Sequence, residues 1–233
     1  MKRHIFIIFA AVAIFFGCKK GNGIIDGGLS NPKVNFNTYD FLKSHPKKVF
    51  DTTLMVIDRA GLKDIINGDV TFFVPNNYSI NNFLNIKRDE ARQIDENKKY
   101  TLDSLFKYFT PAMLRDSLGI YVFKGKISYE QLTEDGQVYH SAVAPAESFI
   151  ISYTKTPGYL VDGIITTDAR LVYFIKVIGD RDIMVNGKKE DPTGDPALLD
   201  RSTVCQTSGI QTTNGIVHVL SNSHPWTFKV KDF

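Results

Sequence analysis

The chain has 233 residues, of which 43% are hydrophobic and 23% are charged. This mixture is typical of a globular protein and excludes a disordered or fibrous chain. The formal net charge is +3 and the basic residues are scattered, so nothing indicates a nucleic-acid partner. The two cysteines, Cys18 and Cys205, are too few for a disulfide-dense scaffold.

Residues 1–17 have the pattern of a secretory signal. Two basic residues precede the apolar run 5–16, which is too short to span a bilayer. The run ends at Gly17-Cys18, and a small residue directly before a cysteine resembles a bacterial lipoprotein signal, although Phe15 stands where leucine is usual. This resemblance implies cleavage after Gly17 and acyl chains on Cys18 that anchor the protein to a membrane. A plain secretory signal or an uncleaved anchor is the alternative.

Residues 18–37 predict a flexible tether, because they are rich in glycine and asparagine and show no sustained periodicity. Lys19 and Lys20 follow Cys18, where surface-exported lipoproteins of some Gram-negative bacteria carry acidic residues. We expect a lipid-anchored protein of the cell envelope, in the outer membrane of a Gram-negative bacterium. The periplasmic and the surface face of that membrane both stay open.

The next segment predicts mainly helices. Thr38 would cap a short helix, and Ser44-His45-Pro46 would open a longer one that ends at Gly61. The run Val70–Val74, which is β-branched and aromatic and is followed by proline, predicts a buried strand. Residues 87–99 are mostly charged and predict a solvated helix.

From Tyr121 onward the pattern changes to strands. Asn186-Gly187 predicts a hairpin turn, because both central positions of such a turn favour positive φ. Asn214-Gly215 predicts a turn between Ile210 and Ile216. Helices lead and strands follow, which favours an α+β fold around one core over alternating βαβ units. The candidate strands are Ser148–Tyr153, Leu171–Val177, Ile183–Val185, Thr203–Cys205 and Ile216–Leu220.

Two segments resemble the conserved boxes of fasciclin-like domains. Residues 71–80, Thr-Phe-Phe-Val-Pro-Asn-Asn-Tyr-Ser-Ile, resemble the first box, and residues 214–220, Asn-Gly-Ile-Val-His-Val-Leu, are similar to the second. The resemblance covers roughly 38–224 and implies a single domain in which a β-sandwich or wedge packs against several helices. It also implies a binding and adhesion module without catalysis or cofactor. Relative to the family, the segments near 85–100 and 139–170 look like insertions, and 225–233 would be a C-terminal tail.

The patterns of common catalytic and metal sites do not occur in the sequence. There is no H-E-x-x-H, no cysteine pair at zinc spacing, no G-x-S-x-G and no phosphate-binding loop. His218 lies within a predicted strand, where a lone histidine is more often a hydrogen-bonded core residue than a ligand or base. Cys205 has no basic neighbour in sequence and is interpreted as a structural thiol. We therefore predict no catalytic and no metal-binding residues.

These observations predict a membrane-tethered, non-catalytic adhesion module of the bacterial cell envelope that engages a protein or a glycan; the oligomeric state stays open. One alternative is an envelope hydrolase of the glycosidase type, since carboxylates brought together by a fold cannot be read from sequence. Another is an accessory lipoprotein of an outer-membrane nutrient-uptake complex.

The candidate partner-binding residues are Tyr139, His140, Tyr153 and Tyr159, all in the apparent insertion at 139–170. Their side chains offer an apolar face with a polar edge, which suits the energetic centre of a protein interface. The alternative is that some of them pack their strand onto the core.

Lipidation gives a direct test. Replacing Cys18 by alanine should release the protein from membranes, because the acyl chains would lose their attachment atom. Membrane fractionation and the intact mass of the mature protein measure this. A Cys18→Ala protein that stays in the membrane, together with a wild type that carries no acyl mass, would contradict the lipoprotein interpretation.

Overall fold

The computed structural model describes residues 32–156, 160–161, 164–165, 169–186 and 188–229. The signal, most of the tether and Tyr159 lie outside these ranges. The helices are α1 (Thr38–Ser44), α2 (Asp51–Ala60), α3 (Lys63–Ile66), α4 (Asn77–Ile94), α5 (Leu102–Tyr108) and α6 (Pro111–Gly119). The strands are β1 (Val70–Val74), β2 (Val122–Lys124), β3 (Gln137–His140), β4 (Ser148–Thr156), β5 (Leu160–Val161), β6 (Ile164–Ile165), β7 (Ala169–Lys176), β8 (Ile183–Val185), β9 (Lys188–Glu190), β10 (Arg201–Gln211) and β11 (Ile216–Leu220).

Several helix boundaries differ from the sequence-based predictions. The cap of α1 is Asn37, whose side-chain oxygen accepts a hydrogen bond from Asp40 N at 2.8 Å. The longer helix begins at Asp51 and not at Pro46, because the backbone turns before it and Lys48 has a φ of +52°. The charged segment 87–99 does not form a helix of its own: α4 runs through its first part and ends at Ile94.

Seven strands form one sheet in the order β2-β1-β11-β10-β7-β4-β3. Strands β1 and β11 are parallel, and the other neighbours are antiparallel. Strand β10 changes partner along its length: residues 201–204 pair with β7, whereas residues 205–211 pair with β11 through two shifts of register. Irregular pairing of this kind bends a strand, and the sheet folds into a wedge that confirms the predicted α+β class.

A stack of four rings joins the two halves of the wedge. His218, Phe73, Phe174 and Phe149 lie face to face in that order, with centroids 4.6, 4.7 and 4.8 Å apart. They come from β11, β1, β7 and β4, and all four are fully buried. Phe123 of β2 meets Phe73, Phe149 and Phe174 edge-on at 5.7–5.8 Å. Offset stacks and edge-on pairs are both favourable arrangements of aromatic rings.

The two sequence boxes are neighbouring strands, since Phe73 of β1 lies opposite His218 of β11. Asn214 closes the turn before β11: its Oδ1 accepts from Thr38 N at 2.9 Å, and its Nδ2 donates to Gly68 O at 3.0 Å. A side chain at Gly215 would bring its Cβ to 2.2 Å from Val70 O, so only glycine fits there. The Asn-Gly pair thus ties β11 to the helices and to β1.

Two histidines are buried in neutral surroundings. His218 Nε2 donates to Ile127 O at 3.3 Å, and burial lowers the pKa of His218 to about 4. The Tyr121 hydroxyl accepts from Thr227 N and donates to His224 Nε2, each at 2.7 Å. Burial lowers the pKa of His224 to about 3. His218 is therefore a structural residue, as its position in the sequence indicates.

The C-terminal segment corrects one predicted boundary. Residues 225–233 do not form a tail throughout, because Trp226 is fully buried and Phe228 nearly so. The Trp226 ring meets Phe83 of α4 at 5.2 Å between centroids, and Phe228 O accepts from Arg201 Nη1 at 2.9 Å. The core therefore continues past residue 224.

Cys205 lies where β10 changes its partner. The residue is 5% exposed, and burial raises the pKa of its thiol to about 12. A thiol is nucleophilic only as thiolate, so this geometry agrees with a structural cysteine.

The ring stack predicts a large effect of Phe73→Ala. This substitution should lower the free energy of unfolding by about 3–5 kcal/mol, because it removes a fully buried ring and leaves a cavity. Phe36→Ala is the matched control, since Phe36 is 47% exposed and should lose about 1 kcal/mol or less. Urea unfolding followed by circular dichroism measures both, and equal losses would contradict the central place of Phe73.

The buried histidines predict acid sensitivity. Histidine in the unfolded chain titrates near pH 6.5, so between that pH and about 4 the unfolded state binds protons that the native state does not. The free energy of unfolding should thus fall as the pH falls, by about 3 kcal/mol at pH 4 for His218 alone. In His218→Gln this part of the pH dependence should disappear, whereas His140→Gln, which changes an exposed histidine, should keep it. Urea titrations at several pH values give the slopes, and parallel wild-type and His218→Gln curves would refute the assignment.

Candidate functional site

Three of the predicted binding residues lie in the described part of the chain, in two neighbouring strands. Tyr139 and His140 end β3, and Tyr153 lies in β4. Cys18 and Tyr159 lie outside the described residues. Their roles, like those of the other candidates in partner binding, stay predictions.

The segment 139–170 contributes strands β3 and β4 to the seven-stranded sheet, whereas β5 and β6 pair only with each other. Strand β3 pairs with β4 from Gln137↔Ile151 to His140↔Ser148, and β4 pairs with β7 over eight positions. The segment therefore does not enter the described structure as a surface loop added to a finished scaffold. Strand β4 carries the fully buried core side chains of Phe149 and Ile151.

The candidate residues do not form one aromatic surface. Tyr139 is half-buried and lies opposite Phe149, so its ring points toward the core and meets Phe123 edge-on at 6.4 Å. His140 is the next residue on the strand, lies on the opposite face and is exposed. The Arg170 guanidinium covers the Tyr153 ring at 4.9 Å.

A cleft of about 480 Å³ opens between β2 and β3, the two edges of the sheet. Tyr139 lies in it, and its hydroxyl donates to Gln137 Oε1 at 3.3 Å. Burial raises the pKa of Tyr139, so the hydroxyl keeps its proton. The other lining residues are Lys124, Gly125, Lys126, Ile127 and Gln131. We call this space the seam cleft.

A buried threonine holds one wall of the seam cleft in place. Thr71 Oγ1 donates to Gly125 O at 2.8 Å and accepts from Ile127 N at 2.7 Å. Gly125 has a φ of +75°, which ends β2 and turns the chain away from the sheet. The two lysines on either side of Gly125 are thereby fixed at the mouth of the cleft by the backbone between them.

The seam, which is the gap between β2 and β3, is closed at one end by specific contacts. Ala142 N donates to Val122 O at 2.7 Å, which joins the chain after β3 to β2. The buried Ser141 hydroxyl donates to Gly119 O at 2.6 Å. A Cβ at Gly119 would lie 2.5 Å from Val143 Cγ1, so this approach requires a glycine.

The seam cleft presents hydrogen-bond donors and positive charge. Lys124 and Lys126 are exposed, and neither has an ion-pair or hydrogen-bond partner among the described residues. Amide groups of Gln131 and Gln137 and the Tyr139 hydroxyl complete its polar lining. This set can hold a carboxylate or another anionic group by charge-assisted hydrogen bonds.

A second groove, of about 450 Å³, carries acidic residues instead. Asp200 Oδ1 and Oδ2 accept from Ile178 N and Asp182 N, at 3.0 and 3.1 Å, and Asp182 Oδ2 accepts from Asp200 N at 3.0 Å. These carboxylates hold two loops together through the backbone. Three of the four carboxylate oxygens of Asp182 and Asp200 are thus used in bonds to the backbone.

Neither a metal cluster nor a membrane-crossing helix is found in the described ranges. No three histidine, cysteine or acidic side chains gather there as metal ligands. Likewise, no helix among those residues is both long and apolar enough to cross a bilayer.

Sequence reasoning missed Lys124, Lys126, Gln131 and Gln137. The signal that bears on them is Lys-Gly-Lys directly after the apolar residues 120–123. A glycine between two lysines at the end of a strand indicates a turn with two charges at a sheet edge. That these charges face β3 follows only from the way the sheet closes.

The comparisons with known proteins place most of the chain in one family model. The model of the fasciclin domain matches residues 48–223. Among solved structures, the chain resembles a FAS1 domain pair from the insect cell adhesion molecule Fasciclin I, at 15% identity and a TM-score of 0.41. That match covers 82% of this chain and 50% of the solved one, so the chain spans about half the length of the domain pair. No curated protein gives a significant match.

Proposed function

The chain belongs to the fasciclin domain family, whose members are generally adhesion and binding modules, and we propose that it is a non-catalytic binding module of a bacterial cell envelope. Its partner is a protein or a glycan of that envelope. The observation that carries the proposal is the seam cleft, where two lysines without a side-chain partner among the described residues stand on a scaffold fixed by buried contacts. Recognition commonly depends on such groups at the edge of a rigid fold.

The charge of the cleft favours an anionic group on the partner. Lys124 and Lys126 are held close together by the Thr71 contacts with the backbone beside them. A carboxylate that enters the cleft meets two ammonium groups and the side-chain amides of Gln131 and Gln137. Since neither lysine must leave a partner among the described residues, binding does not require the breaking of an existing ion pair.

The N-terminal sequence supports a membrane tether for this module. Cleavage before Cys18 and acylation of its sulfur would place the domain at the end of a short glycine-rich segment. A tethered module meets partners in the same envelope at a high effective concentration, so weak contacts at one cleft suffice for adhesion. We propose the outer membrane of a Gram-negative bacterium as the location, on either face.

A charge reversal tests the proposal. The full chain with Lys124→Glu and Lys126→Glu should bind isolated envelope material at least about tenfold more weakly than wild type, because attraction becomes repulsion. The control is Lys188→Glu with Lys189→Glu, which makes the same change of charge on β9. Sedimentation of the protein with envelope fragments measures binding, and thermal unfolding confirms that both variants are folded.

The same samples decide between binding and hydrolysis. Release of soluble sugars or peptides from the envelope fragments is followed over time, and we expect none. Steady release by the wild type, or equal binding by the wild type and the Lys124→Glu, Lys126→Glu variant, would overturn the proposed function of this cleft.

A further inference from the structure

Strands β2 and β3 are the two edge strands of the seven-stranded sheet. They approach each other in antiparallel directions but do not form a continuous ladder of hydrogen bonds. The directions of the seven strands make β2 and β3 antiparallel where they meet. The bond from Ala142 N to Val122 O lies at the closed end. A continued ladder would set residue 140 opposite residue 124, but no strand pairing between β2 and β3 exists in the described structure.

The backbone of β2 leaves unpaired groups in the seam. Tyr121 O accepts from Phe73 N, and Gly125 N donates to Asp69 O. The backbone groups of Tyr121 and Gly125 therefore point toward β1. Val122 O points to the other side, where it accepts from Ala142 N. Because backbone groups alternate along a strand, the N–H and C=O of Lys124 also face the seam, and neither has a partner among the described residues.

The backbone of β3 is unpaired on the facing side. Val177 N donates to Ser148 O, so Ser148 and every second residue after it bond to β7. The residues between them bond to β3, at Gln137 and Tyr139. The N–H and C=O of Val138 and His140 therefore point away from β4 into the seam, again without a partner in the described part of the chain.

We propose that the seam cleft binds an extended acidic peptide segment of a partner protein as an added β-strand next to β3. This inference rests on the proposed binding function and names the class of its partner. The peptide backbone pairs with Val138 and His140, and its acidic side chains reach Lys124 and Lys126. Strand addition of this kind gives affinity through main-chain bonds and specificity through side-chain pockets.

Two observations favour a peptide over a sugar. The unpaired groups in the seam repeat with the spacing of a strand, which an extended peptide matches and a pyranose chain does not. Val138 is 53% exposed, so the edge of β3 is open to an approaching chain. The cleft also has Gln137 and Tyr139 beside this edge, where side chains of the added strand would lie.

Lysines at a sheet edge also protect against aggregation. The probes therefore distinguish main-chain hydrogen bonding to β3 from electrostatic attraction to Lys124 and Lys126. The probe is a short synthetic peptide that alternates glutamate with valine, labelled with a fluorophore and titrated with the full chain. A second probe has the same sequence but carries methyl groups on alternate backbone nitrogens, which remove main-chain donors and keep every charge. A third probe is an acidic polysaccharide.

Two protein variants distinguish main-chain pairing from charge on the side of the protein. Val138→Pro removes one N–H that faces the seam and no hydrogen bond of the native sheet, and proline is tolerated on edge strands. Lys124→Glu with Lys126→Glu removes the charge complement, and Lys188→Glu with Lys189→Glu is the control. Thermal unfolding shows whether each variant is folded. Amide hydrogen exchange of wild type with the peptide reports on Val138 and His140 without any substitution.

We expect the first peptide to bind and the methylated peptide to bind at least about tenfold more weakly. Val138→Pro and the Lys124→Glu, Lys126→Glu variant should show similar losses, and exchange at Val138 and His140 should slow in the complex. Equal binding of both peptides, unchanged exchange, or binding of the polysaccharide alone would overturn strand addition. The last result would leave the proposed binding module intact, whereas failure to bind envelope material in any form would overturn both.

Discussion

The stack of His218, Phe73, Phe174 and Phe149 is the contact on which the rest of the fold depends. Its rings come from four strands that lie on both sides of the point where β10 changes partner. A flat seven-stranded sheet could not bring Phe73 and Phe149 so close, because four strand-to-strand spacings separate β1 from β4. The stack therefore requires the bend in β10, and the bend in turn gives the core its wedge shape.

The open seam is a consequence of the same bend. Folding the sheet brings β2 and β3 toward each other, and Ser141 with Gly119 fixes one end of their approach. At the other end the positive φ of Gly125 and its bond to Thr71 lead the chain out of the sheet. The edges thus meet at one point and diverge from it. A barrel would bury these backbone groups in its own ladder, whereas the wedge leaves them available to another chain.

The sequence allowed prediction of those features whose signal is local. Both Val70–Val74 and Ile216–Leu220 are buried on both faces and therefore read as continuous apolar runs. The turn at Asn214-Gly215 was predictable because this residue pair is common in turns. The reason that glycine is required there was not predictable, since neither residue has a positive φ and the constraint is the close approach of Val70 O. Trp226 and Phe228 escaped prediction because a short turn after proline has no periodicity to reveal burial. Lys124 and Lys126 were missed for another reason: their neighbours across the seam come from β3, and only the closure of the sheet brings the two edges together.

The buried thiol of Cys205 has a further consequence for the location in the cell envelope that we propose. Burial leaves Cys205 only 5% exposed and raises the pKa of its thiol to about 12, so at neutral pH Cys205 in the native fold offers oxidants almost no thiolate to attack. A chain in which β10 leaves its neighbours exposes this sulfur and becomes open to mixed disulfides with small thiols. The rate at which an alkylating reagent modifies Cys205 therefore measures how often the sheet opens where β10 changes its partner.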